Sequence, residues 1–180
     1  MSPSNKVRQV FKSSRHCKKV ARELLEGIFV SEVLKPSQRL WIVSPWISDI
    51  PIIDNRSGSF WALDVSWAQK QIRLREVLLR IVQNGGVVTM VTRPPENEIT
   101  VGQRLQREMD ARGQSEGFEL IHTDEDFHSK GLLGEDFYLM GSMNFTYNGL
   151  EINDETISLD RDRQRVAEAR YVFENEYTAI

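Results

Sequence analysis

The stretch from Phe127 to Thr146, FHSKGLLGEDFYLMGSMNFT, constrains the fold of this chain more than any other part of it. A β-strand sends alternate side chains to opposite faces, so a strand through His128 and Lys130 points both one way and Ser129 the other. Gly134-Glu135-Asp136 is turn chemistry between two apolar runs and predicts a β-hairpin. The hairpin returns Gly141-Ser142 to the start of its own first strand, beside the imidazole. One short segment thereby gathers an imidazole, an ammonium, a hydroxyl and the Asn144 amide about a single point, with Glu155 close behind in sequence.

The rest of the chain reads as alternating elements. Val20, Leu24, Ile28 and Leu34 recur at helical spacing over 16–34, ahead of Pro36. Leu40 to Val43 is a short buried-type strand stopped by Ser44-Pro45. Leu74, Val77, Leu78 and Ile81 predict a second helix, closed by Asn84-Gly85-Gly86. Strands follow over 87–92, 118–122 and 156–159, with helices over 99–112 and from about 162 to 177. The expected fold class is α/β: a mixed central β-sheet flanked by helices on both faces.

At 180 residues the chain is expected to be one domain, with a basic N-terminal segment over 1–22 and a tryptophan-rich insertion over 46–70. Residues 1–22 hold seven Lys and Arg and no acid, which leaves 16 basic against 26 acidic side chains elsewhere. A basic arm on an acidic body suits phosphate contacts, and a solvated helix start fits equally well. The segment has no apolar signal stretch, and no apolar run approaches the ~20 residues that cross a bilayer. With the single Cys17 this points to a cytoplasmic protein with no membrane partner. Four tryptophans (Trp41, Trp46, Trp61, Trp67) fall close together; exposed ones would stack bases, and buried ones would pack a core or an interface.

The combination of His128, Lys130, Gly141, Ser142, Asn144 and Glu155 resembles the signature of the phospholipase D superfamily: His-x-Lys, a spacer with an Asp, Gly-Ser-x-Asn and a downstream Glu. The spacer is about one residue shorter than in the family's small bacterial nucleases. The place of its Asp falls on Glu135 or Asp136, so a changed hairpin is expected, with the chemistry intact. Resemblance implies a metal-independent phosphodiesterase without cofactors, in which one histidine attacks phosphorus and a second protonates the leaving oxygen. One motif supplies one histidine, so two chains are expected to pair about a two-fold axis as a homodimer with a shared active site. Lys130, Ser142 and Asn144 would then stabilise the phosphoryl oxygens, and Glu155 would orient His128. Nucleic acid, DNA or RNA, is the expected substrate and partner, in a setting such as restriction or genome defence.

Other readings compete. A phospholipid hydrolase or transferase has the same chemistry but lacks a membrane-binding helix here. A non-catalytic nucleic-acid-binding subunit of a defence complex would not need the full set of His, Lys, Asn and Glu. His122, Asp124, Asp126 and His128 alternate in a way that suggests metal ligands, yet one strand face makes a poor tetrahedral cage. Arg93 and Trp46, each just past a strand, are candidates for substrate binding at the site mouth. His16 and Cys17 read as ordinary surface residues.

Overall fold

A computed structural model describes residues 7–12, 15–96, 98–124 and 126–177. Its elements are β1 (Val7–Lys12), α1 (Arg15–Leu34), β2 (Arg39–Val43), β3 (Pro51–Asp54), β4 (Gln71–Arg73), α2 (Leu74–Gln83), β5 (Val87–Thr92), α3 (Val101–Ala111), β6 (Phe118–His122), β7 (Gly131–Leu133), β8 (Tyr138–Gly141), β9 (Glu155–Asp160) and α4 (Arg163–Tyr177). Seven strands form one sheet in the order β1-β9-β8-β7-β2-β5-β6. Strands β2, β5 and β6 run parallel, while the pairs from β2 through β7, β8 and β9 to β1 are antiparallel. The sheet is mixed, as expected.

Alternation along the central strands builds two cores. Leu40 and Ile42 of β2, Val88 and Met90 of β5 and Leu132 of β7 turn to one face, where they pack with α1, α2 and α3 through Phe29, Leu78 and Leu105. Trp41, Val43, Val91 and Leu133 turn to the other, where Val166, Phe173 and Tyr177 of α4 cover them. Burial on both sides explains why these strands read as continuous apolar runs. α4 packs chiefly by rings: Phe173 meets Trp41 and Tyr138 edge-on, at 6.0 and 5.6 Å between centroids.

Two regions differ from the sequence expectation. β1 is an edge strand paired along its length with β9, inside the basic segment for which the sequence left a phosphate-contacting arm and a solvated helix start equally open. Further along the same segment, Lys18 donates to the Ile152 carbonyl at 3.0 Å and Arg22 pairs with Glu151, so both cations hold a short π-helical turn at Asn148–Ile152. The side chains of His16 and Cys17 lie outside the described residues.

The expected tryptophan-rich stretch 46–70 contains one strand, β3, which forms a separate antiparallel ribbon with β4. Buried Asn55 pins its turn, donating to the Trp67 carbonyl at 2.6 Å and accepting from the Phe60 amide at 2.7 Å. Trp41 and Trp67 are core residues, whereas Trp46 and Trp61 stand exposed. Among the described residues no helix is long and apolar enough to cross a membrane.

Candidate active site

One end of the sheet gathers His128, Lys130, Gly141, Ser142, Asn144 and Glu155. β2 and β5 finish there at Val43 and Thr92, β7 starts there with Gly131 opposite Val43, β8 finishes at Gly141 and β9 starts at Glu155. Crevices outside the carboxyl ends of parallel strands, where the strand order changes direction, are the usual ligand positions in such sheets.

His128 and Lys130 precede β7 and do not lie on a strand as expected. The cause is the neighbour: β2 stops at Val43, and the next positions of that register fall to Ser44 and Pro45. Proline has no N–H to continue the ladder. The Lys130 Nζ instead donates to the His128 carbonyl at 2.8 Å. The alternation nevertheless survives. Ser129 faces the Tyr177 hydroxyl on the α4 side, while Lys130 lines a notch with Met143 and Phe145 on the opposite face.

Arg93, just past β5, reaches the imidazole. Its Nη2 lies 3.4 Å from His128 Nε2, its Nε donates to the Phe127 carbonyl at 3.0 Å, and its guanidinium sits 4.7 Å from the centre of the Trp46 ring. The two residues proposed for the site mouth are thus in contact, and one of them touches His128. Trp46 is 51% exposed.

The Gly-Ser-x-Asn segment is held by close backbone approach and shared hydroxyls. A Cβ on Gly141 would fall 2.0 Å from the Thr156 carbonyl oxygen, so only glycine fits. Ser142 Oγ accepts from the Thr156 amide at 3.1 Å and donates to Glu155. Glu155 also accepts from Asn153 Nδ2 at 3.3 Å. Both of its oxygens are therefore engaged within the chain, and the expected Glu155–His128 contact is replaced by Glu155–Ser142. The Asn144 side-chain amide lies within hydrogen-bond reach of Ser44 Oγ, at 3.2 Å.

Ser44 is a residue that sequence reasoning treated only as a strand stop. Its hydroxyl also bonds the Trp46 carbonyl at 2.9 Å and, as acceptor, the Phe145 amide at 3.4 Å. It ties the Asn144 and Trp46 loops together, and the β-bridge between Ile47 and Phe145 continues the link. Gly149 was missed as well: a Cβ there would lie 2.2 Å from the Asn144 carbonyl oxygen. The expected acid place, Glu135 and Asp136, lies in the β7–β8 turn at the far end of the sheet, where Arg170 donates to the Gly134 and Glu135 carbonyls at 3.0 and 2.9 Å.

The rival metal constellation does not assemble as a strand face, because β6 ends at His122. Among the described residues no group of three His, Cys, Asp or Glu side chains is placed to hold a metal ion.

Residues 35–177 match the family described as "Cardiolipin synthase, PLD-like domain". No curated protein sequence matches the chain. Among solved structures it is similar to NucT from Helicobacter pylori, at 11% identity and a TM-score of 0.56, covering 94% of both chains. It is also similar to Nuc from Salmonella typhimurium, a phospholipase D family member, at 12% identity and a TM-score of 0.54, covering 94% of this chain and 91% of that one. Phosphatidylserine synthase of Haemophilus influenzae shares the fold at 17% identity and a TM-score of 0.57, over 94% of this chain and 37% of the other. At these identities the structures speak for the fold, and the sequence match over 35–177 speaks for descent: the chain belongs to the phospholipase D-like family.

Proposed function

We propose that the protein is a phosphodiesterase that cleaves DNA or RNA as a homodimer, without a metal. The observation carrying this reading is the convergence of His128, Lys130, Ser142 and Asn144 at one end of the sheet, with Arg93 against the imidazole. A phosphodiester anion repels nucleophiles and gives a poor leaving group, so two displacements through a covalent intermediate lower the barrier. A neutral His128 attacks phosphorus, and the P–O bond to the leaving strand breaks. The partner subunit's His128, as imidazolium, gives that oxygen its proton. It then takes a proton from the water that attacks the phosphohistidine, which frees the first imidazole.

The pair of lysines, one Lys130 from each subunit, supplies fixed positive charge for the phosphoryl oxygens, and Asn144 adds a donor as their charge grows. Glu155 acts on this site through Ser142, whose hydroxyl it holds. Arg93 and Trp46 form the rim that meets the substrate. A cytoplasmic role in the defence of the genome suits such an enzyme.

The test is incubation of the purified chain with labelled single- and double-stranded DNA and RNA in excess EDTA. Cleavage in EDTA, with an acid-labile phosphoryl group trapped on His128, supports the reading. Activity that vanishes on chelation and returns with manganese or zinc overturns it.

A further inference from the structure

A cleft of about 820 Å³ opens beside His128, bounded by Trp46, Arg93, Pro95, Glu96, Glu98 and Asp126. It lies past the carboxyl ends of β2, β5 and β6, and its volume is in the range of small-ligand sites. Three properties separate it from the phosphate position. First, its charge is wrong for a phosphate. Three carboxylates line it against one guanidinium, and that guanidinium is already directed at His128 and the Phe127 carbonyl. Second, it has a flat wall: Trp46 is half exposed and stacked with Arg93 at 4.7 Å, a surface of ring and guanidinium that suits a planar π-system. Third, its carboxylates are hydrogen-bond acceptors only, when ionised, and match the exocyclic amino groups of cytosine, adenine or guanine.

An acyl chain would have to bury against Glu96, Glu98 and Asp126 without giving them partners, at a cost in desolvation. A duplex base is stacked and paired, and cannot leave its helix to lie on Trp46 without unstacking. Resting on the reading that a nucleic acid is the substrate, we propose that this cleft is a base subsite. It takes the nucleobase next to the scissile phosphate of a single strand, and it favours amino-bearing bases over thymine or uracil. Arg93 joins the two subsites, with its plane toward the base wall and its Nη2 toward the phosphate position at His128 Nε2. Trp46 sets strandedness; Glu96, Glu98 and Asp126 set base preference.

The test separates binding from cleavage by using the His128→Asn chain. Binding is measured by fluorescence anisotropy for labelled oligo(dC), oligo(dT), an abasic oligomer of the same length and a duplex. The inference expects oligo(dC) to bind at least several-fold more tightly than oligo(dT), and the abasic oligomer and the duplex to bind more weakly than either. Trp46→Ala in that background should weaken oligo(dC) binding about 10-fold, as the loss of one stacked base does elsewhere, and Trp46→Phe should restore part of it. Glu96→Gln with Glu98→Gln should reduce the ratio of oligo(dC) to oligo(dT) without abolishing the binding of either.

Equal binding of duplex and single strand, or no response to Trp46→Ala, overturns the inference. So does a complete lack of nucleic-acid binding. In that last case the wild-type chain is assayed with bis(p-nitrophenyl) phosphate. Turnover there would leave the phosphodiesterase standing and remove only the base subsite.

Discussion

The Ser142 hydroxyl donates to Glu155 while accepting from the Thr156 amide 3.1 Å away, so one side chain fastens the turn after β8 to the start of β9. The Ser142 amide adds a third link, donating to the Thr156 carbonyl at 3.0 Å. That carbonyl is also the atom a Gly141 side chain would strike. Holding the strands this close keeps the Gly-Ser turn beside the end of β7 and gives Glu155 its position.

Gly141→Ala should therefore be costly although the residue is exposed. The methyl group meets backbone, not a side chain that can swing away, so β8 and β9 must separate. Overpacking of this kind costs about 1–3 kcal/mol, and urea unfolding would measure it. Ser142→Ala should lose less stability and more turnover, since it removes the donor that Glu155 holds. If Gly141→Ala unfolded at the wild-type urea midpoint, the close approach of β8 and β9 would be wrong.

At the opposite end of the sheet, Glu32 of α1 accepts from the Ser37 amide and hydroxyl, each at 2.9 Å, and Ser37 Oγ accepts from the Glu135 amide at 2.7 Å. Burial pushes the Glu32 carboxyl above its ordinary value of 4.5; the two bonds from Ser37 oppose this, and the nearby Glu135 and Asp136 add to it. An acid with a raised folded pKa binds more protons in the native chain than in the unfolded one. Its contribution to stability is complete below 4.5 and is lost as pH rises through the folded value. Glu32→Gln cannot ionise, so the midpoint of thermal unfolding of the variant, relative to wild type, should rise as pH goes from acid toward neutral. Parallel curves for the two proteins would show that Glu32 carries no such penalty.

Much of this architecture is legible in the sequence. Val87–Thr92 and Phe118–His122 are apolar runs closed by Pro94-Pro95 and a polar loop, and both appear as β5 and β6 with the expected bounds. The α2 helix carries its apolar stripe through Leu74, Val77, Leu78 and Ile81 and ends at Asn84, as the Asn-Gly-Gly stop predicts. β1 was hidden because three of its six residues are polar or charged and break the apolar alternation; its pairing is set by β9, which local pattern does not reveal. β3 and β4 are too short to show a period. Within the candidate site, identities were legible but partners were not. Ser44 and Gly149 act on Asn144 through contacts 100 and five residues away in sequence. The register that ends β7 short of His128 is likewise imposed by Pro45 on a neighbouring strand.

Tyr177 offers a test of how the histidine is aimed from behind. Its ring packs edge-on against Phe127 at 6.1 Å, and its hydroxyl faces Ser129, so the residues on both sides of His128 neighbour α4. Burial raises the phenol's pKa, Ser129 opposes this, and the neighbouring Glu176 carboxylate adds to it. Tyr177→Phe retains the ring and removes the hydroxyl that faces Ser129 and Glu176, at a cost of about 1 kcal/mol. Turnover should fall by up to roughly 10-fold through misplacement of the imidazole, with KM unchanged. A fall in stability without a change in turnover would mean that Ser129 and Tyr177 serve folding alone.

The shared site makes the sharpest demand on the mechanism. If each reaction needs the imidazoles of two chains, a dimer holding one wild-type and one His128→Asn subunit lacks either the nucleophile or its proton donor. Co-expression of the two chains lets them pair at random. The active fraction is then the square of the wild-type fraction, so an equal mixture should retain about a quarter of the wild-type activity. Independent sites would retain half. The readings differ most clearly at low wild-type fraction, where the squared curve approaches zero with almost no slope. Light scattering on the same samples should give the dimer mass throughout. A linear fall of activity with wild-type fraction, or a fully active monomer, would mean that one His128 completes the reaction alone and that the two-fold site is wrong.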